Sequence, residues 1–205
     1  MLEIFYNFCF LFFFGWAVLC EKFAVGNVCY ALIGAAIPLM ISGGFHVDGY
    51  MDTMDAFHSY QSREKKLEIL EDSHIGAFAA IMLALYYMID IAAISEIHTQ
   101  KAVSALAAVF FLARCFSGIA VMTLQPAKKE GLLYTFASSA QKVRVKAALY
   151  FQAALCVVLM LLVSGWYGAA AIGAALLSFF YFKKKSYKEL GGITGDTAGF
   201  FVTVC

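Results

Sequence analysis

Long apolar runs decide most of what this chain can fold into. A helix needs about 20 mostly apolar residues to cross the hydrocarbon of a bilayer. Segments near 4–20, 28–45, 75–95, 102–123, 146–164 and 166–182 approach that length. In hydrocarbon every backbone polar group must be satisfied within its own segment, so such runs fold as helices. The expectation is an all-α, polytopic membrane helix bundle of about six transmembrane helices, with 1–205 forming a single membrane-embedded domain. The last two segments meet at Ser164-Gly165-Trp166, which predicts a helical hairpin. The opening stretch MLEIFYNFCFLFFFGWAVLC lacks a basic leader and a small-residue cleavage site, so it reads as a bundle helix and not as a cleaved signal.

Composition agrees with a membrane class. Charged residues make up 14% of the chain and hydrophobic ones 62%, where a soluble domain carries about 25% charged residues. The net charge of +1 comes with no basic stripe interleaved with aromatics, so no nucleic-acid partner is expected. Cys9, Cys20, Cys29, Cys115, Cys156 and Cys205 stand singly, without a CxxC pair or a Cys/His cluster. That pattern points to buried free thiols rather than a disulfide framework or structural zinc.

The basic residues orient such a bundle. With six spans, one side collects Arg63, Lys65, Lys66, Lys128, Lys129, Lys142, Arg144, Lys146, Lys183, Lys184, Lys185 and Lys188. The other side keeps only Lys22 and Lys101, and Arg114 lies within a span. Positive residues accumulate on the cytoplasmic side. The loops at 46–74 and 124–145 and the C-terminal tail are therefore expected there.

The stretch GGFHVDGYMDTMDAFHS, 43–59, sets carboxylates at the end of an apolar segment, where they are costly. Asp48, Asp52 and Asp55 fall at i, i+4 and i+7, on one face of a helix expected to continue out of the second span. Acids so close repel one another unless a cation sits among them. Hard oxygen-only donors suit Mg²⁺ or Mn²⁺, which serve phosphoryl transfer. Gly49 leaves room for a ligand or a neighbouring helix near the backbone. His46 and His58 lie off the acidic face, in supporting or structural positions. Glu71-Asp72-Ser73 precedes the third span, and two readings of it stand: Asp72 or Ser73 caps that helix, or Asp72 brings a fourth carboxylate to the cation from a second helix.

A second motif, GGITGDTAGF at 191–200, groups glycines and threonines around Asp196. Backbone N–H groups in such a loop can approach a phosphate, and the loop falls on the same side as the acidic helix. Arg114 within the fourth span calls for a partner, either an aspartate or a substrate phosphate held bidentately. Asp90 reads as a structural polar contact.

Taken in order, GGFHVDGYMDTMDAF, REKKLEILEDSHIGAF, ARCFSG, QPAKKEG and GGITGDTAGFF resemble the cobalamin synthase family, the adenosylcobinamide-GDP ribazoletransferases. The resemblance implies a Mg²⁺-dependent membrane enzyme that joins adenosylcobinamide-GDP to α-ribazole or its 5′-phosphate and releases GMP. It would work in a bacterial or archaeal cell membrane, with its site facing the cytoplasm; oligomerisation is left open. Carried over motif by motif, the catalytic set is Asp48, Asp52, Asp55, Asp72 and Asp196, the first four also holding metal. Gly49, Arg114, Lys128, Gly192, Thr194 and Gly195 would contact the substrates. Family members commonly begin with a further proline-bearing segment and continue past Cys205, which implies a shortened member. The acidic helix is also similar to that of CDP-alcohol phosphotransferases, but their D-x-x-D-G-x-x-A-R spacing is missing. A cation- or proton-coupled transporter would use intramembrane acids too, yet it predicts repeated halves, and none is found.

Overall fold

The computed structural model describes residues 2–128 and 142–205, with side chains over 8–128 and 143–205. Lys129 and the rest of the expected loop 129–141 lie outside the described residues. The helices, in chain order, are α1 (Leu2–Lys22), α2 (Asn27–Ser42), α3 (Phe45–His58), α4 (Arg63–Ile69), α5 (Ala77–Ile94), α6 (Gln100–Thr123), α7 (Lys142–Ser164), α8 (Trp166–Leu190) and α9 (Gly195–Val204). No strand occurs among the described residues; an isolated bridge joins Pro126 and Ile193.

Among the described residues α5, α6 and α7 are long and apolar enough to cross a membrane, and α2 with α3 adds a fourth if that bent pair is one span. These match the expected segments at 75–95, 102–123, 146–164 and 28–45. The expected six is therefore met only by three or four. α8 carries the charged run Lys183-Lys184-Lys185 before its end at Leu190, which shortens its apolar part. The outward surface carries large apolar side chains, among them Val28, Met40, Ile81, Met88, Leu162 and Leu177. So broad an apolar exterior suits lipid rather than water.

The acidic segment is not a continuation of α2. Gly43 and Gly44 both adopt left-handed backbone, φ 60° and 85°, which glycine enters without steric cost. The Gly44 N–H closes the end of α2 on the Leu39 carbonyl at 3.2 Å. α3 then leaves at 96° to α2. The spacing of the three acids survives on α3, but their face now runs across the end of the bundle.

That end gathers several chain segments. The C-termini of α2, α6 and α8 meet there with the start of α5 and with α9. Ile193 donates to the Gln125 carbonyl and Ala127 to the Ile193 carbonyl, while Gln125 N–H reaches the Tyr187 hydroxyl at 2.8 Å. The opposite end holds the α1–α2 and α5–α6 turns, tied by Asn27 to the Ser95 carbonyl and by Tyr30 to the Ile97 carbonyl. The α7–α8 hairpin turns at Gly165, φ 56°, about 37 Å from Leu190 at 1.5 Å rise per residue.

Between helices in lipid the hydrophobic effect supplies no net drive, so close packing over small residues holds them together. α6 occupies the middle of the bundle and buries Ala107, Ala113 and Ala120. At Gly168 an added Cβ would sit 2.3 Å from the Met160 carbonyl oxygen, so α7 and α8 touch backbone to backbone. The acidic end has its own core. Phe200 stacks on Tyr50 with ring centres 5.8 Å apart, and Phe201 packs on Phe182 at 5.2 Å.

Candidate active site

Asp55 sits on α3 where the next long helix begins. Its two oxygens accept from the N–H groups of Gly76, at 2.7 Å, and Ala79, at 2.9 Å. A carboxylate from another helix thus caps α5 and meets the positive end of its dipole. Neither Asp72 nor Ser73 does so, which corrects the capping alternative. The cap of α5 comes not from its sequence neighbours but from 21 residues away. Asp55 is then anchored by backbone donors, unlike Asp48 and Asp52.

Asp48 and Asp52 face a cavity of about 270 Å³, whose other wall is the loop with Leu70, Glu71 and Asp72. Asp72 accepts from the His74 backbone N–H at 3.0 Å and contacts its ring at 2.6 Å. These hydrogen bonds hold the Asp72 carboxyl below its ordinary range, hence ionised. The loop is fastened from both sides. Lys66 on α4 pairs with Glu189 of α8 at 2.5 Å, the side chains only 8% and 14% exposed. Lys185 reaches the other Glu189 oxygen at 3.1 Å. Lys128 pairs with Glu71 and reaches toward the Leu67 carbonyl. Lys128, for which the resemblance implied a substrate contact, is thus engaged with the loop.

The glycine-rich segment packs on α3 beside the acids of this cavity. Thr194 and Thr197 form a reciprocal capping box that starts α9. On α3, a Cβ added to Gly49 would lie 2.8 Å from the Asp196 carbonyl oxygen and 3.0 Å from its Cα. Gly199, one turn on, faces His46 and Gly49. α3 and α9 make the most extensive helix contact among the described residues. Asp196 therefore stands beside Asp48, and Asp48, Asp55 and Asp196 all act electrostatically on Asp52. Burial raises the Asp196 carboxyl above its ordinary range, opposed by hydrogen bonds from its own N–H and from Thr194.

The other glycines divide by task. Gly191 ends α8 in left-handed conformation under the Arg63 guanidinium. Gly192 is pressed against the 125–127 backbone, where a Cβ would meet the Gln125 oxygen at 2.6 Å. The N–H groups of Ile193, Thr194 and Thr197 are already taken. Of the expected phosphate cradle, Gly195 is the exposed position with open space around it.

Arg114 lies on the far side of α3 from this cavity. Its Nη1 donates to His46 Nε2 at 3.0 Å. A guanidinium can only donate, so His46 accepts at Nε2 and carries its proton on Nδ1. Arg114 thus steadies the back of α3. Asp90 also lies away from the acidic cavity, in a second one.

Two acids gain their roles only in the fold: Glu71 lines the cavity and Glu189 braces α4 through Lys66. Glu71 adjoins Asp72 and could have been read as a second acid of that loop. Glu189 is an acid set among Lys183, Lys184, Lys185 and Lys188, a charge pattern that asks for a partner.

Among the described residues no three carboxylate, imidazole or thiol groups converge as a ready-made metal site. Mg²⁺ needs no such cage, since it commonly uses one or two carboxylates, waters and substrate phosphates. A cavity flanked by Asp48, Asp52 and Asp72, all oxygen donors, fits that mode.

Residues 9–205 match the family model described as cobalamin-5-phosphate synthase. An adenosylcobinamide-GDP ribazoletransferase of Lachnoclostridium phytofermentans is 41% identical over 181 residues, covering 88% of this chain and 69% of that protein. A protein of the same name from Clostridium botulinum strain Alaska E43 is 32% identical, covering 82% of this chain and 67% of its own length. No solved structure matches.

Proposed function

Because the chain belongs to the cobalamin-5-phosphate synthase family, we propose that it transfers the adenosylcobinamide-phosphate group of adenosylcobinamide-GDP to α-ribazole or its 5′-phosphate, releasing GMP. The observation that carries this reading is the backbone contact of Gly49 with Asp196, which sets the two polar motifs side by side, next to a cavity lined by Asp48, Asp52 and Asp72.

A ribazole hydroxyl attacks the cobinamide-linked phosphorus and GMP departs, so the protein's work is to position two substrates and balance charge. Asp48, Asp52 and Asp72 would hold Mg²⁺, or Mn²⁺ in its place, against the diphosphate. A bound divalent ion supplies charge neutralisation on the phosphoryl oxygens. Asp196, on a separate helix and raised by burial, accepts the hydroxyl proton. Asp55 keeps α3 and α5 in register. Gly195 leaves room for phosphate oxygens at the start of α9, whose dipole favours an anion.

Purified protein in detergent, given adenosylcobinamide-GDP, α-ribazole and Mg²⁺, is expected to release GMP in step with loss of both substrates. A CDP-alcohol phosphotransferase or a cation-coupled transporter would release none, and absence of GMP would defeat the reading.

The site faces the cytoplasm in this proposal. If α1, α2 and α8 cross as well as α5, α6 and α7, the helix ends at the acidic cavity share the side of the basic loops, as charge bias requires. A cysteine placed at Ser62, in a chain stripped of its native thiols, should react with an impermeant thiol reagent only in inverted vesicles. Labelling of intact cells would reverse the orientation.

A further inference from the structure

The bundle contains a second, larger cavity of about 450 Å³, on the other face of α3 from the paired acids. Its aromatic walls come from Tyr50, Tyr86, Tyr87 and Phe110, and α5 contributes one acid, Asp90. The volume lies within the range of small-molecule sites. Tyr50 is fixed in place by its hydroxyl, which donates to the Met82 carbonyl at 3.0 Å, and by its stack on Phe200.

Asp90 makes no hydrogen bond or ion pair among the described residues. An acid in a membrane helix that faces an interior cavity is a functional group by default. The Tyr86 and Tyr87 hydroxyls lie close to Asp90, and several other polar groups of the wall are engaged. The Ser42 hydroxyl donates to the Leu39 carbonyl, Thr203 donates to the His46 carbonyl, and His46 Nε2 accepts from Arg114. Aromatic walls with a polar edge at Asp90, Tyr86 and Tyr87 suit a flat, mostly apolar ligand with a polar atom for Asp90. A diphosphate would be repelled there, and guanine would leave several polar edges unmatched.

The two cavities are neighbours across one helix seam. On α3, Val47 lines the larger and Met51, one turn on, lines the acidic one. On α5, Met82 lines the larger and Ala79 the acidic one.

We infer that this cavity binds the benzimidazole base of the ribazole substrate, with Asp90 engaging the ring nitrogen not bonded to ribose, and the ribose reaching across the α3–α5 seam. The inference rests on the function proposed above. α-Ribazole meets the chemical demand: a planar, methylated ring with one weakly basic nitrogen, so that base and carboxyl share a single proton. Asp90 determines specificity and takes no part in bond making.

The test is equilibrium binding to the full chain in detergent, with α-ribazole and with its indole analogue, in which that nitrogen is a CH. The unmodified protein should prefer α-ribazole about tenfold or more, the scale of a hydrogen bond to a charged group. Asp90→Leu, which relieves the membrane of an acid, should lose that preference. It should raise KM for α-ribazole about tenfold and leave KM for adenosylcobinamide-GDP unchanged. Ala93→Phe, which fills the same cavity from α5, should weaken both ligands alike. Equal binding of the two ligands by the unmodified chain overturns the inference, as does a preference that survives Asp90→Leu. Full affinity in Ala93→Phe does the same, and would leave the cavity to lipid chains. Absence of GMP from the unmodified enzyme would instead overturn the proposed function, and the binding comparison separates that outcome from this one.

Discussion

Asp52→Asn is expected to slow GMP release at least about a hundredfold, the scale of removing one preorganised electrostatic group from a transition state. Asp52 is the acid on which Asp48, Asp55 and Asp196 all act, so it sits at the centre of the negative field that a divalent ion would neutralise. Asparagine keeps the shape and removes the charge. Folding should not suffer, because the substitution relieves repulsion among neighbouring carboxylates; the thermal unfolding midpoint in detergent is expected to hold or rise. Asp196→Asn should lower kcat on a similar scale with little change in either KM, as fits a proton acceptor rather than a binding group. Turnover near wild type in Asp52→Asn at limiting Mg²⁺ would remove the acid from the metal-binding role.

The largest structural effect is expected from a single methyl group. Gly49→Ala places a carbon 2.8 Å from the Asp196 carbonyl oxygen and 3.0 Å from its Cα, both backbone atoms. No rotamer relieves such a contact, so α3 and α9 must separate. Overpacking of this kind costs about 1–3 kcal/mol. Displacing Asp196 by about 1 Å from the other acids is enough to cost a hundredfold in rate. Gly173→Ala is the matched control, since that α8 position has nothing within 4 Å. It should leave stability unchanged or raise it, as alanine in a helix does relative to glycine. If Gly49→Ala unfolds at the wild-type temperature with full activity, the α3–α9 contact does not set the geometry of the site.

Much of this protein is written locally. Apolar runs of span length can fold only as helices in lipid, so α5, α6 and α7 follow from the requirement that each segment bond its own backbone. The one-sided spacing of Asp48, Asp52 and Asp55 is equally local, because a helix repeats every 3.6 residues wherever it points. The families of motif are legible for the same reason.

Direction and partnership are not local properties. Two glycines at 43 and 44 permit a break, but the sense and size of the 96° turn depend on what α3 meets when it lands. It meets α9, from the far end of the chain, and α5, whose first N–H groups take Asp55. That is how one of three equivalent-looking acids becomes a helix cap while the others remain at the cavity. The glycine-rich segment divides in the same way. Gly192 and Gly49 serve close backbone contacts with segments remote in sequence, whereas Gly195 stays open. Lys66 and Glu189 look like surface charges until the fold buries them against each other. Helical period is set by bonds within a few residues, and so it can be read along the chain. Which carboxylate meets a backbone donor, a lysine or an open cavity depends on contacts between distant segments, and only the packed tertiary structure decides that.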